Sequence, residues 1–221
     1  MKHVYAFLFL ALLFSCKTEK KENAIEETKT ETTESESLIY PEETHFKSLR
    51  QVTFGGDNAE AYWSFDDKQL IFQSNYKNWG VECDQMFLMN IDDTFKDSQP
   101  KIISTGLGRT TCAYFLPDNK SWVYGSTHLG GPECPPAPLR HEGKYVWPIY
   151  DSYDIFVADL EGNITAQLTN EPGYDAEATV SPKGDKIVFT SMRTGYLELF
   201  TINLDGTDVK QITSELGYDG G

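Results

Sequence analysis

The chain has 221 residues and is strongly acidic, with 19 Lys and Arg against 34 Asp and Glu and a formal net charge of −15. This charge excludes nucleic-acid binding through the overall field, because phosphate binding needs an excess of Lys and Arg. The chain is not disordered throughout either, since its 13 Phe, 12 Tyr and 4 Trp can bury a core. The aromatic residues, with 17 Gly and 10 Pro, favour β structure.

The first sixteen residues predict a targeting signal. Lys2 precedes an apolar run from Val4 to Phe14, which is shorter than the roughly 20 residues that span a bilayer. It fits the apolar region of a secretory signal peptide covering residues 1–15. The run ends in Leu13-Phe14-Ser15-Cys16, which resembles the lipobox of bacterial lipoproteins and implies acylation of Cys16. An uncleaved anchor helix is the alternative, and both place the rest of the chain outside the cytoplasm.

Residues 16–38 predict the lipidated cysteine and an acidic, disordered tether. From Lys17 to Leu38 the segment holds seven Glu, five Thr, four Lys and two Ser, with only three apolar residues. Such a segment cannot offset its ordering entropy by burial. Lys17 follows the cysteine, and nothing there resembles the Asp that retains these lipoproteins in the inner membrane. The resemblance therefore implies an outer-membrane lipoprotein, facing the periplasm or the cell surface, that touches the membrane through its lipid anchor only.

From residue 49 onward the sequence repeats itself. Each repeat contains a strand end, a polar turn and a second strand that ends in an aromatic residue, which is a hairpin signal. An apolar third strand then runs into an acidic turn, and a short fourth strand closes the repeat. The matching stretches are Ser64–Phe72, Leu116–Tyr124 and Ser181–Phe189, then Met86–Thr94, Ile155–Asn163 and Leu199–Thr207, then Lys101–Ser104, Ala166–Thr169 and Lys210–Thr213.

This arrangement of four strands per repeat is typical of propeller blades. A single small sheet cannot bury both of its faces, so we expect the blades to stack radially around an axis. The predicted fold is therefore all-β: a β-propeller of four-stranded antiparallel blades.

The third repeat resembles the TolB-type, WD40-like β-propeller repeat. Ser181-Pro182-Lys183-Gly184 precedes an apolar strand, with Tyr174-Asp175 upstream and Asn203-Leu204-Asp205-Gly206-Thr207 downstream. The first repeat departs from the pattern at Phe65, where Pro is usual, and the second departs at Leu116. The resemblance implies a propeller of about six blades, of which about three are present. It does not imply an enzyme.

The predicted boundaries place a partial propeller at residues 49–221. A closing strand precedes the first blade but has no blade of its own, and a fourth repeat stops before its first strand. We therefore expect an N-terminal fragment of a longer protein, with a half-ring that dimerises as the alternative. The expected parts are an outer closing strand at 49–53, blade 1 at 57–105, blade 2 at 110–169, blade 3 at 174–213 and the start of blade 4 at 216–221.

Blade 2 carries about twenty extra residues, the insertion 127–153, between its second and third strands. Loops of this length are usually functional or disordered, and the five Pro of this one favour order. In propellers such loops share a face, here called the top face, with the crossings between blades. We expect a binding funnel there, with a loop that merely caps the channel as the alternative. The candidate binding residues are Asn58, Glu60, Arg109, Thr111, His128, Glu133, His141, Trp147, Tyr153, Asp175 and Glu177.

Besides the lipidated cysteine, three cysteines remain, an odd number in an oxidising compartment. Cys83, Cys112 and Cys134 all map to the top face. We expect one disulfide and one free thiol, and first the pair Cys112–Cys134, which would staple the insertion to its own blade. A thiolate metal site with His128 or His141 is the alternative, although the spacing matches no standard zinc pattern.

The sequence offers no catalytic motif. It has no nucleophile elbow, no H-E-x-x-H motif and no Gly-rich phosphate loop. Carboxylates crowd the turns at Asp92–Asp97 and Asp151–Asp154, but neither turn matches an EF-hand. We therefore predict no catalytic residue, no metal and no cofactor.

These observations predict a lipid-anchored, extracytoplasmic propeller that acts as a non-catalytic protein-binding module of the cell envelope. The TolB-like resemblance implies an envelope protein as partner, and an envelope glycan is the other partner considered. One alternative is the propeller domain of a secreted hydrolase or polysaccharide-degrading enzyme whose catalytic part lies partly or wholly outside this chain. Another is a purely structural envelope protein.

Overall fold

The structure is a computed structural model that describes residues 38–144, 146 and 148–220. The predicted signal peptide, Cys16, most of the predicted tether, Trp147 and Gly221 lie outside the described residues. Among the residues that are described, no helix is both long enough and apolar enough to cross a membrane.

The chain divides into two units, Met1–Leu49 and Arg50–Gly221. The described residues of the first unit, 38–49, form turns with mostly exposed side chains. In one of them the backbone N–H of Tyr40 donates to Glu43 Oε2 at 2.8 Å.

In the described part of the second unit, twelve strands form three four-stranded antiparallel sheets, each built in chain order. Blade 1 consists of β1 (Asn58–Trp63), β2 (Gln69–Ser74), β3 (Gln85–Asn90) and β4 (Lys101–Ile102). Blade 2 consists of β5 (Thr110–Phe115), β6 (Ser121–Ser126), β7 (Asp154–Asp159) and β8 (Ile164–Gln167). Blade 3 consists of β9 (Asp175–Val180), β10 (Lys186–Ser191), β11 (Glu198–Asn203) and β12 (Lys210–Gln211).

The turn between the first two strands of each blade is closed by a side-chain oxygen. In blade 1 the hydroxyl of Ser64 accepts the backbone N–H of Lys68 at 3.1 Å, and in blade 3 that of Ser181 accepts the N–H of Asp185 at 3.2 Å. Leu116 has no such oxygen and is buried instead. In blade 2 the Asp118 carboxylate accepts the N–H groups of Lys120 and Ser121 at 2.8 and 2.9 Å.

A second hydrogen-bond pattern is repeated at the end of the outer strand of each blade. The hydroxyls of Ser104, Thr169 and Thr213 each accept, at 2.9 Å, a backbone N–H near the start of the third strand of the same blade. Each hydroxyl in turn donates to a side chain one residue earlier, which is Gln85, Asp154 or Glu198. The short outer strands are therefore held by side chains as well as by the backbone ladder.

The two largest apolar clusters lie between the blades. Blades 1 and 2 bury one cluster between them and blades 2 and 3 bury another, and each fully buried large apolar side chain contributes about 1.5–3 kcal/mol. The innermost strands β1, β5 and β9 are neighbours. The cluster between blades 1 and 2 includes Ile71, Met86, Phe115, Trp122, Tyr124 and Phe156. The cluster between blades 2 and 3 includes Val123, Ile155, Ile187, Phe189, Phe200 and Ile202. The prediction of radially stacked propeller blades is confirmed.

The blades are joined at the top face by a repeated backbone bond. The N–H of Thr110 donates to Asp84 O at 2.9 Å, and the N–H of Asp175 donates to Tyr153 O at 3.0 Å. After blade 3 the N–H of Asp219 donates to Leu197 O at 2.9 Å in the same way. Asp219 therefore occupies the position at which β5 and β9 begin.

Candidate functional site

Each innermost strand is interrupted at the same place by a β-bulge. The register with the second strand breaks between Ala59 and Tyr62 in β1, and at matching positions in β5 and β9. The first residue of each bulge, Glu60, Cys112 or Glu177, has a positive φ of 48°, 51° or 60°. A bulge of this kind redirects the side chain that it carries.

These redirected side chains line a half-open cavity of about 450 Å³ between the three blades. The innermost strands form its floor, the residues just before β3 and β5 form one wall, and the insertion forms another. Its lining consists of Glu60, Tyr62, Gln73, Asp84, Arg109, Thr110, Thr111, Cys112, Ala137, Pro138, Val146, Pro148, Tyr153, Glu177 and Thr179.

An ion pair between Arg109 and Asp84 stands in one wall, with 25% and 15% of the two side chains exposed. Burial raises the pKa of the Asp84 carboxyl, although the Arg109 guanidinium opposes that shift. Among the described residues, the buried Nε of Arg109 has no hydrogen-bond partner. Arg109 Nη2 also donates to Cys134 Sγ at 3.9 Å, so the pair lies on the side of the cavity next to the insertion.

The floor is occupied by a hydroxyl and carboxylate pair. The Tyr62 hydroxyl donates to Glu60 Oε2 at 2.5 Å. Burial, followed by this bond and the Glu60 charge, raises the pKa of Tyr62, so its hydroxyl remains a donor. The Tyr62 ring also contacts the Tyr114 ring of blade 2, with centroids 5.3 Å apart. The position of Glu60 is thereby fixed at the contact between two blades.

Cys112 is a free thiol on β5, between the strands that carry the two glutamates. Burial raises the pKa of the Cys112 thiol to about 12; the hydrogen bond with Thr111 opposes the shift, and the negative charges of Glu60 and Glu177 add to it. The thiol therefore stays protonated near neutral pH. A protonated thiol is a poor nucleophile.

The insertion forms the apolar wall and is fixed at several points. Cys134 forms a disulfide with Cys83, with the Cα atoms 5.8 Å apart, and Pro132 O accepts the N–H of Gly108 at 3.0 Å. The hydroxyl of Tyr150 donates to Pro136 O at 2.5 Å. These contacts place Ala137, Pro138, Val146 and Pro148 along the cavity.

The predicted disulfide Cys112–Cys134 is wrong. Cys112 turns toward the cavity within its bulge, whereas Cys83 precedes β3 and lies beside the insertion. The insertion is consequently stapled to blade 1, across the contact between blades, and not to its own blade. The expected bond lay within one blade, and the sequence does not show how far the insertion reaches.

Only some of the predicted binding residues line the cavity. Glu60, Arg109, Thr111, Tyr153 and Glu177 do. Glu133 and His141 are exposed and do not, Asn58 donates to Gly55 O at 2.9 Å, and Trp147 lies outside the described residues. Among the residues that sequence reasoning missed, Asp84, Tyr62 and Gln73 gave no signal. Cys112 was expected on the top face as a disulfide candidate and not as a lining residue, although it occupies the repeat position of Glu60 and Glu177.

His128 and Asp175 belong to the blade framework. Asp175 is 2% exposed and forms an ion pair with Arg193 at 2.8 Å, and Arg193 Nε donates to Ser191 Oγ at 2.8 Å. His128 occupies in blade 2 the position that Arg193 occupies in blade 3, and its Nδ1 lies 2.9 Å from Ser126 Oγ. Burial lowers the pKa of His128, which favours the neutral ring.

The thiolate metal site considered as an alternative has no support in the part of the chain that the structure describes. No group of three or more His, Cys, Asp or Glu residues there is arranged to hold a metal ion. Two of the three cysteines considered for a thiolate site are joined to each other.

No protein-family model matches the sequence, and no curated protein is significantly similar to it. The fold is similar to that of TolB from Acinetobacter baumannii, at 19% identity and a TM-score of 0.49, covering 75% of this chain and 34% of that one. A protein described as a TolB from Agrobacterium tumefaciens is similar at 22% identity and a TM-score of 0.36, covering 75% of this chain and 65% of that one.

A puromycin-hydrolyzing peptidase from Mycobacterium tuberculosis is also similar, at 12% identity and a TM-score of 0.47. That match covers 76% of this chain and 25% of the peptidase. The described part of the chain comprises three blades of a β-propeller. The match spans about a third of the length of the Acinetobacter protein. The likeness concerns the fold alone.

Proposed function

We propose that this chain is a lipid-anchored, extracytoplasmic propeller that serves as a non-catalytic protein-binding module of the cell envelope. One observation carries the proposal: the top face has a half-open cavity with an apolar wall supplied by an insertion that a disulfide and backbone bonds hold in place. A preorganised wall lowers the entropic cost of binding a partner.

The insertion also exposes apolar side chains beside the cavity. Leu139 is 93% exposed, Leu129 61% and Ile149 41%. Protein-binding surfaces commonly combine such apolar groups with a polar rim, and Arg140, Glu142 and Lys144 are exposed nearby. An envelope protein is therefore a better fit to this surface than a glycan.

The anchor part of the proposal rests on the sequence, because Cys16 lies outside the described residues. Acylation of Cys16 would tie the propeller to the outer membrane, and the acidic tether would set its reach. Replacement Cys16→Ala should abolish incorporation of labelled palmitate and move the protein from the membrane fraction to the soluble fraction. Membrane association unchanged by C16A would contradict the lipid anchor.

Site-specific photo-cross-linking tests the binding role. A benzoylphenylalanine at Leu139 should give one discrete adduct with an envelope protein in living cells. The matched control is Phe65, which is 44% exposed at the opposite end of blade 1 and should give no adduct. The Leu139 adduct should disappear when Ala137 and Pro138 are both replaced by Asp. Equal labelling from the two positions, or a Leu139 adduct that persists after those replacements, would show that the top face is not the binding surface.

A further inference from the structure

The cavity has two kinds of wall, and their combination defines a ligand class. Glu60 and Glu177 approach from β1 and β9, while Pro138, Val146 and Pro148 of the insertion line another side. The one guanidinium of the lining already pairs with Asp84. The cavity is therefore anionic at its floor and apolar along one wall.

A side chain that matches both walls is long, apolar along its stem and cationic at its tip. Lysine and arginine have this form, and both bury their methylene stems along apolar surface while the head group stays polar. We propose, building on the proposed function, that the cavity receives a lysine or arginine side chain of the protein partner, with the head group between Glu60 and Glu177 and the stem against the insertion. An acidic peptide would be repelled.

The local electrostatics agree with this assignment. The negative charges of Glu60 and Glu177 both help to raise the pKa of Cys112, which lies on β5 between the strands that carry them. Charged clefts concentrate ions of the opposite sign and speed their approach by 10-fold or more, as an order of magnitude. The cavity should therefore admit cationic molecules faster than anionic ones of the same size.

Cys112 provides a built-in reporter for the test. Its thiolate attacks a methanethiosulfonate, forming a mixed disulfide and releasing methanesulfinate. The probes are the trimethylammonium-ethyl and sulfonato-ethyl reagents, applied to the full chain at low salt, with labelling of the tryptic peptide Thr110–Lys120 followed by mass spectrometry. Relative to a free peptide of the same sequence, the cationic reagent should be favoured roughly 10-fold or more.

Replacing both Glu60 and Glu177 by Gln should bring the ratio of the two rates close to that of the free peptide. The matched control replaces Glu133 and Glu161, which lie outside the cavity lining, by Gln and should retain the preference. Hexalysine should protect Cys112 from the neutral methyl reagent, whereas hexaglutamate should not. The proposal is overturned if the wild type shows no preference, or if the control pair lowers the ratio as much as the cavity pair.

The same variants separate this inference from the proposed function. If the Leu139 adduct survives in the E60Q/E177Q variant and no preference for the cationic reagent is found, the cation assignment fails and the binding role stands. If the preference is found but no adduct forms at Leu139, the protein-binding role fails.

Discussion

Blades 2 and 3 share a framework but differ at the top face. Both close their outer strands with a threonine hydroxyl, Thr169 or Thr213, and both place a ring-contacting side chain after the second strand, His128 or Arg193. They differ in the bulge residue, the length of the following loop and the presence of a staple. Backbone geometry is therefore common to the repeat, whereas the chemistry of the top face differs from one blade to the next.

The largest expected effect concerns the bulge of blade 2. With a pKa of about 12 against an ordinary value of 9.0, Cys112 should react with iodoacetamide near pH 8 about 10³-fold more slowly than in urea-unfolded protein. Because the pKa is raised, the rate should increase about tenfold for each pH unit up to about pH 11. The unfolded thiol loses its proton first, so stability should fall as the pH rises between about 9 and 12.

The control for this measurement is the Thr110–Lys120 peptide, whose cysteine should alkylate at the ordinary rate. A folded-state rate within tenfold of that of the peptide would show that Cys112 is not shielded in its bulge.

The next largest effect is on the free energy of unfolding, when the ring-contacting residues of blades 2 and 3 are replaced. Arg193→Ala leaves the buried Asp175 carboxylate without its ion-pair partner, and should lower the free energy of unfolding by about 3–5 kcal/mol. His128→Ala removes a neutral hydrogen bond and a ring contact with Phe156, and should cost about 1–2 kcal/mol. Urea unfolding followed by circular dichroism measures both. Equal losses would contradict the distinction drawn between the blades.

The Cys83–Cys134 disulfide should contribute to the free energy of unfolding by an amount similar to or smaller than the ion pair of Arg193. The disulfide closes a separation of 51 residues, and replacing both Cys83 and Cys134 by Ser should cost about 2–4 kcal/mol. For a protein of this size that corresponds to a decrease in Tm of roughly 4–16 °C by calorimetry. Cys112→Ala is the matched single-cysteine control and should change Tm much less. A double variant with the Tm of the wild type would show that the insertion does not depend on the Cys83–Cys134 disulfide.

The smallest effect lies in the hairpin turns. Ser181→Ala in blade 3 and Asp118→Ala in blade 2 each remove acceptors for backbone N–H groups and should each cost about 1 kcal/mol. Burial raises the pKa of Asp118, but its hydrogen bonds lower it by more. The Asp118 contribution is therefore present above the ordinary aspartate range and lost as the pH falls below it. Urea titrations near pH 7 and pH 3 test this, and a pH-independent cost of D118A would contradict it.

Sequence reasoning predicted the blades because the repeat couples strand pattern to turn chemistry at fixed spacing. Glu60 and Glu177 could be found because they have the same residue type at the same repeat position. Cys112 has a different residue type and was expected on the top face only as a disulfide candidate, although all three residues have the same left-handed backbone. Asp84 was missed because its partner, Arg109, lies 25 residues away across a contact between blades.

The departures from the repeat pattern also have physical reasons that the sequence does not show. Phe65 stands where Pro is usual, and its N–H donates to Asn119 Oδ1 of blade 2 at 2.7 Å, a bond that Pro could not make. Leu116 stands where the other blades have Ser, and it packs into the cluster between blades 2 and 3. Both depend on a neighbouring blade, and the contacts of one blade with the next are not encoded within a single repeat.

The left-handed bulges have a consequence for how such a protein could change its preferences over time. Left-handed backbone disfavours β-branched and bulky residues, but it tolerates many polar ones, and the side chains there line the cavity and do not belong to the apolar clusters between the blades. A single substitution at residue 60, 112 or 177 could therefore alter which molecules the cavity binds while the packing of the blades is preserved. Each blade thus contributes one position at which binding preference can change independently of the fold.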